Sequence, residues 1–244
     1  MSQWKVKFFD LETAPQPMDK LQFLIPEFEA PKAWKDEEKI RANIESQREK
    51  WVDDAALSPI TGEILAAVWV DVDGMVMIAD ADEIGERELI QQILVKISEG
   101  NMGSHYKVAG FNISEFDIPW LIRRAWHHGI SLPTGLIKAR GKWLDLPDWM
   151  IDIRHLWGMN ERFAKGDLGA IAEFLGVGSK QGKGKDFHRN WRDPSMHAEA
   201  MAYLLNDGNV LPKIFNHIVN LSPDQYGLNL QPYTKEKNET RIPR

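Results

Sequence analysis

The stretch Glu63–Gly74, "EILAAVWVDVDG", followed by "MVMIA" (75–79), constrains the fold most. Two apolar runs flank Asp73-Gly74, a dipeptide that favours the tight turn between antiparallel strands. Around this hairpin the pattern alternates. Trp4–Phe9 predicts a first strand ending near Asp10. Residues 88–100 place apolar side chains at 89, 90, 93, 94, 95 and 97, a helical face stopped by Gly100. "YKVAGFN" (106–112) predicts a short buried strand, 113–129 a helix closing on Gly129, and 168–176 a short helix. "WMIDIRHLW" (149–157) fits strand or helix. Asp193 at an N-cap and Pro194 at the first helical position open a helix over 193–219. This order implies an α/β domain, a mixed sheet with helices packed on it.

With 43% hydrophobic and 27% charged residues, 244 residues can build a sizeable core. No run approaches the roughly 18–20 apolar residues of a membrane span. The N-terminus lacks the basic and apolar blocks of a signal peptide. The absence of cysteine excludes disulfides and thiolate metal sites, and a cytoplasmic location is expected. A net charge of −6 argues against a protein that grips nucleic acid through a broad basic surface. Between the first strand and the hairpin, residues 14–62 read as an insertion. Pro15, Pro17, Pro26 and Pro31 break it, and the charged run Lys35–Trp51 predicts a solvated helix. A single domain over 1–220 is expected, with a polar tail over 221–244.

Three places put acids where an apolar element ends. In "FFDLET", Asp10 and Glu12 are two apart, so in a strand they point to the same face. Two close carboxylates repel until a proton or cation neutralises them, and oxygen-only ligands suit Mg²⁺ or Mn²⁺. Taken alone, the pair is accounted for more readily by strand-end solvation or helix capping. Asp36-Glu37-Glu38 spells the same pattern within a charge run and reads as helix surface. In "GFNISEFD", Asp117 follows the strand end at Asn112, and Ser114 with Asp117 fits a variant capping box. In "YLLND", Tyr203 and Asp207 are four apart and share a helix face.

Taken in order, D-x-E, N-x-x-x-F-D and Y-x-x-x-D resemble the three motifs of the DEDD superfamily of 3′→5′ exonucleases, in its tyrosine-containing branch. The resemblance covers roughly residues 4–218. It is closest to the proofreading exonuclease domain of family B DNA polymerases and its stand-alone relatives. The histidine-containing branch would place its base at Ala202, and here Tyr203 takes the alternative position.

The resemblance implies a ribonuclease H-like fold and two divalent ions, Mg²⁺ or Mn²⁺. Asp10 would bridge them, Glu12 and Asp207 would complete the first site, and Asp117 would hold the second. Tyr203 would orient the attacking water. Leu11 and Thr13 would touch the terminal nucleotide. Asn112 would hydrogen-bond near the scissile nucleotide or the metal-site loop, and Phe116 would contact substrate or belong to the core. Asp152 would serve in ordinary hydrogen bonding or support the site. The expected activity is hydrolysis of single-stranded DNA from its 3′ end, in repair, recombination or phage DNA processing. A ribonuclease D-like activity on RNA is the alternative, as is a non-catalytic nucleic-acid-binding module of the same fold. With no polymerase module after it, the chain is expected to act as a free-standing nuclease or a subunit. The glycine-rich basic loop 176–189 reads as mobile, or as a phosphate grip through Lys180, Lys183 and Lys185.

Overall fold

The computed structural model describes residues 5–99, 106–140, 143–159, 161, 165–179 and 184–221. Five strands form the main sheet: β1 (Lys5–Pro15), β2 (Gly62–Val70), β3 (Val76–Asp80), β4 (Tyr106–Gly110) and, last in the chain, β7 (Met150–Asp152). A separate two-stranded ribbon pairs β5 (Lys138–Arg140) with β6 (Trp143–Asp145). The main sheet runs in the order β3-β2-β1-β4-β7. The β1–β2 and β2–β3 ladders are antiparallel, while β1–β4 and β4–β7 are parallel. The expected hairpin is present, with Gly74 at φ 81° in its turn. The parallel pairing stops at Phe8–Ala109 and Gly110–Asp152, so Asp10, Asn112 and Asp152 all lie at or just past the same end of the parallel ladders.

The helices are α1 (Met18–Leu21), α2 (Glu37–Asp54), α3 (Ala81–Ile84), α4 (Glu86–Ser98), α5 (Asp117–His127), α6 (Ile153–Gly158), α7 (Leu168–Phe174), α8 (Phe187–Arg192) and α9 (His197–Leu221). They cover the sheet on both faces, and the alternation of β1 sorts the core. Phe8 packs with Val68, Val70, Leu204, Leu211 and Phe215 on the α9 side. Phe9 and Leu11 pack with Ile64, Leu89, Ile93 and Leu121 on the α4/α5 side. Each such large side chain contributes roughly 1.5–3 kcal/mol by leaving water. Among the described residues, no helix is long and apolar enough to cross a membrane.

Several boundaries differ from expectation. β1 does not end near Asp10 but runs on to Pro15, because its antiparallel ladder with β2 continues past Glu12 through a register shift. Residues 149–157 are both things at once, β7 followed by α6. The last helix starts at His197 rather than after Asp193. Asp193 instead caps a turn, its Oδ1 accepting from the Ser195 N–H and hydroxyl at 2.9 and 2.7 Å. On α4, Leu89, Ile90, Ile93, Leu94 and Ile97 are buried, but Val95 lies on the outer face and is exposed. The expected tail lies almost wholly outside the described residues.

Candidate active site

Asp10 and Glu12 project from the face of β1 that meets α9. One turn apart on α9, Tyr203 and Asp207 point back at them. Asp10, Glu12 and Asp207 each offer a carboxylate oxygen, and these atoms all lie within 4.8 Å of one another. The approach of α9 to the sheet depends on Gly208, since a Cβ there would sit 2.6 Å from Val68 Cγ2. The residue beside the buried acid must therefore be small if α9 is to lie this close.

Asp117 belongs to the same cleft but stands apart from that tight group. It is 2% exposed, and its Oδ1 accepts the Leu11 N–H at 3.0 Å, which ties the start of α5 to β1. Burial, reinforced by the Asp10 charge, pushes its carboxyl well above the ordinary range, and the Leu11 N–H offsets only part of this. The capping box does not form. α5 begins at Asp117 with no side-chain cap, and Ser114 is engaged elsewhere.

That other partner is Asp152. Its Oδ1 accepts from the backbone N–H groups of Asn112 and Arg154, each at 2.9 Å. Its Oδ2 accepts from the Ser114 N–H at 3.0 Å and hydroxyl at 2.6 Å. One buried carboxylate thus caps α6 and holds the turn after β4. Asn112 sits in that turn at φ 61°, a left-handed conformation that asparagine tolerates. Gly110 permits the turn, because a Cβ would fall 2.3 Å from Ile113 Cγ2 and 2.7 Å from the Phe9 carbonyl.

Tyr203 is buried, and its hydroxyl hydrogen-bonds Asp207. Burial, then the charges of Glu12, Asp207 and Asp10, drive its phenol far above the ordinary value. The hydroxyl therefore stays protonated and serves as a donor. Gly184 approaches it closely, since a Cβ there would lie 3.2 Å from the tyrosine oxygen.

A cleft of 1090 Å³ opens over these groups. Leu11, Thr13, Asn112 and Phe116 all line it. The Leu11 side chain itself is buried in the core, and Thr13 donates to the Ala56 carbonyl at 2.7 Å. The Phe116 ring packs against Trp120 at 5.8 Å between centroids. Lys180 and Lys183 lie outside the described residues. Lys185 falls in the short 3-10 turn Gly184–Asp186, but its side chain lies outside them too.

The cleft also has walls that motif spacing did not reveal. Arg154 lines it and donates to Asn112 Oδ1 at 2.9 Å. Lys165, His188 and Arg189 face it as well. Burial, then the neighbouring Arg189 charge, hold His188 below its ordinary value, so it is neutral at pH 7. The opposite wall is α2, which presents Ser46, Glu49, Lys50 and Asp53. Those positions follow the i, i+3, i+4, i+7 spacing of one helix face. The sequence shows that stripe but cannot say which surface it turns towards.

No family model matches the sequence, and no curated protein matches it. Among solved structures, the chain is similar to the family B DNA polymerase from the hyperthermophilic archaeon Pyrobaculum calidifontis, with a TM-score of 0.59. The architecture, a mixed five-stranded sheet flanked by helices, is the expected ribonuclease H-like fold. The two chains share 16% identity over 94% of this chain, so the likeness is one of fold. This chain spans only 28% of the polymerase.

Proposed function

We propose that the chain is a metal-dependent 3′→5′ exonuclease that hydrolyses single-stranded DNA. One observation carries this reading: carboxylates of Asp10, Glu12 and Asp207 meet within 4.8 Å at the cleft floor, one helical turn from a buried tyrosine. The donor set fits a hard divalent cation. All three ligands are oxygens, which favours Mg²⁺ or Mn²⁺ over softer metals. Asp10, Glu12 and Asp207 would hold one ion, and Asp117, in the same cleft, would share a second with Asp10. When bound, such ions polarise a phosphoryl oxygen and lower the pKa of a bound water.

The remaining work falls to the chain itself. A phenol of ordinary pKa about 10 is a poor base, so Tyr203 would orient a water by hydrogen bonding rather than deprotonate it. Asp152 fixes the turn carrying Asn112, and Asn112 in turn orients the Arg154 guanidinium at the cleft wall. A planar guanidinium there suits a phosphodiester. The likeness to a DNA polymerase supports nucleic acid as the substrate class.

The test offers end-labelled single-stranded DNA, duplex DNA and RNA side by side with Mg²⁺, Mn²⁺ or EDTA. Stepwise release of nucleotides from the 3′ end of single-stranded DNA, abolished by EDTA, is expected. Faster degradation of RNA would reassign the substrate. No release from any of the three would leave a nucleic-acid-binding module.

A further inference from the structure

The α2 wall brings an acidic helix face to a cleft that, on the reading above, must admit a polyanion. α2 buries none of its side chains. Its half-buried stripe, Ile40, Asn43, Ile44, Gln47 and Trp51, lies on another side, where Gln47 donates to the Glu29 carbonyl at 3.2 Å. Asp53 and Asp54 close its cleft side, and the Asp53 carboxylate pairs across the cleft with the Arg189 guanidinium of α8.

The two ends of that pair are held very differently. On α8, Phe187 and Trp191 are buried. Arg192 binds Asp82 through two hydrogen bonds at 3.0 Å and Glu63 through one at 2.7 Å. Arg189 therefore stands on a fixed platform and faces the cleft. The pair itself is open to water, its side chains 55% and 44% exposed, so solvent screens it and a better anion can displace the carboxylate. A phosphodiester offers the same paired oxygen acceptors to a guanidinium.

We propose that Arg189 is a phosphate-binding residue for the substrate strand, and that Asp53 of α2 competes for it. Strand entry then exchanges an intramolecular carboxylate for a phosphodiester. The inference rests on the cleft being a nucleic-acid site, and it does not depend on hydrolysis.

The test measures binding of a short fluorescent oligothymidylate to the full chain, in Ca²⁺ and again in EDTA, across a salt series. Four proteins are compared: wild type, Asp53→Asn, Arg189→Gln and the double variant. Arg189→Gln should weaken binding and lower the slope of log K against log salt by about 0.7, the loss of one single-strand phosphate contact. Asp53→Asn should tighten binding by up to about fivefold, the most an exposed pair is worth. In the Arg189→Gln background the same Asp53→Asn change should do nothing, because the competition has lost its object. Equal tightening in both backgrounds would overturn the proposal, since Asp53 would then be a general repulsive charge. An unchanged salt slope in Arg189→Gln would also overturn it, as would failure of the wild type to bind in either buffer. A wild type that binds but releases no nucleotide in Mg²⁺ would sink the exonuclease reading and leave the exchange standing.

Discussion

The two sides of the cleft are built on opposite principles. On the floor, Asp10 and Glu12 come from a central strand paired on both edges, and Asp207 from a helix pressed onto the sheet at Gly208. Behind the floor, buried Arg124 of α5 holds Glu86 through its Nε at 2.8 Å and Nη2 at 2.5 Å. The far wall is α2, with no buried side chain and an exposed ion pair at its end. Groups that must meet within a few ångströms are over-determined. The wall across from them, which on the proposed function a substrate would pass, is held by contacts that water can replace. The contrast is the one expected between a rigid acidic floor and an element of low local stability.

Four substitutions probe it. Asp10→Asn should reduce nucleotide release to background while the thermal midpoint in EDTA stays at or above that of wild type, because the change relieves repulsion among acids. A collapsed fold would make Asp10 structural and erase the distinction.

Glu86→Gln should cost about 3–5 kcal/mol in denaturant unfolding, because it leaves a buried guanidinium without its counter-charge. Its pH dependence follows from the environment of Glu86. Burial would raise its carboxyl, but hydrogen bonds from Arg124, His128 and the Ile64 N–H outweigh burial and hold it below the ordinary value of 4.5. A depressed folded pKa gives stability that is present above 4.5 and lost as pH falls through the lower folded value. The gap between wild type and variant should therefore be constant near neutrality and close only in acid. A gap that persists there would mean the charge is not its source.

Tyr203→Phe should slow turnover by about tenfold to a hundredfold, at or below the low end of what a proton-transfer group supplies. The Mg²⁺ requirement should be little changed in a metal titration. A large loss of metal affinity would make the tyrosine part of the scaffold for Asp207.

The smallest effect belongs to the wall. Asp36 caps α2, its Oδ1 accepting from the N–H groups of Glu38 and Lys39 at 3.1 and 3.2 Å. Asp36→Ala should cost that helix about 1 kcal/mol. Amide exchange over 37–42 should quicken with the global midpoint unmoved. A lower midpoint would show that α2 folds with the core.

What the sequence revealed follows the same division. The period of two in β1 put Asp10 and Glu12 on one face, and the period of 3.6 put Tyr203 beside Asp207. Both are local rules, and the structure has both pairs as they require. The convergence of Asp207 on the β1 acids was expected only through the family resemblance, since no spacing links residues 10 and 207. The D-x-E look-alike at Asp36 was legible as surface from its charged neighbours, and it is a helix cap. Asp117 shows where local reading stops. Its spacing from Ser114 fits a capping box, yet Ser114 turns to Asp152, a partner 38 residues away. Arg154 and the cleft face of α2 escaped notice for the same reason, because each is defined by what lies across the cleft. Val95 illustrates a smaller limit: an apolar residue at an outer helical position looks like core until the partner surface is known.

The β1–β2 ladder carries one further consequence. Its register passes from Glu12 opposite Ala66 to Thr13 opposite Ile64, so Leu65 has no counterpart. Leu65 and Ala66 both pack on the α9 side, whereas Ile64 and Ala67 pack on the other. Deleting Leu65 would therefore restore strict alternation and leave every flanking side chain on its present side. The deletion would remove the extra twist that a bulge gives a strand pair, immediately after the Glu12–Ala66 pair. It would also remove the fully buried Leu65 side chain from the core on the α9 side, so the ladder could be regularised only at a cost in packing. One extra residue in β2 thus bends the ladder beside Glu12, one of the three clustered acids.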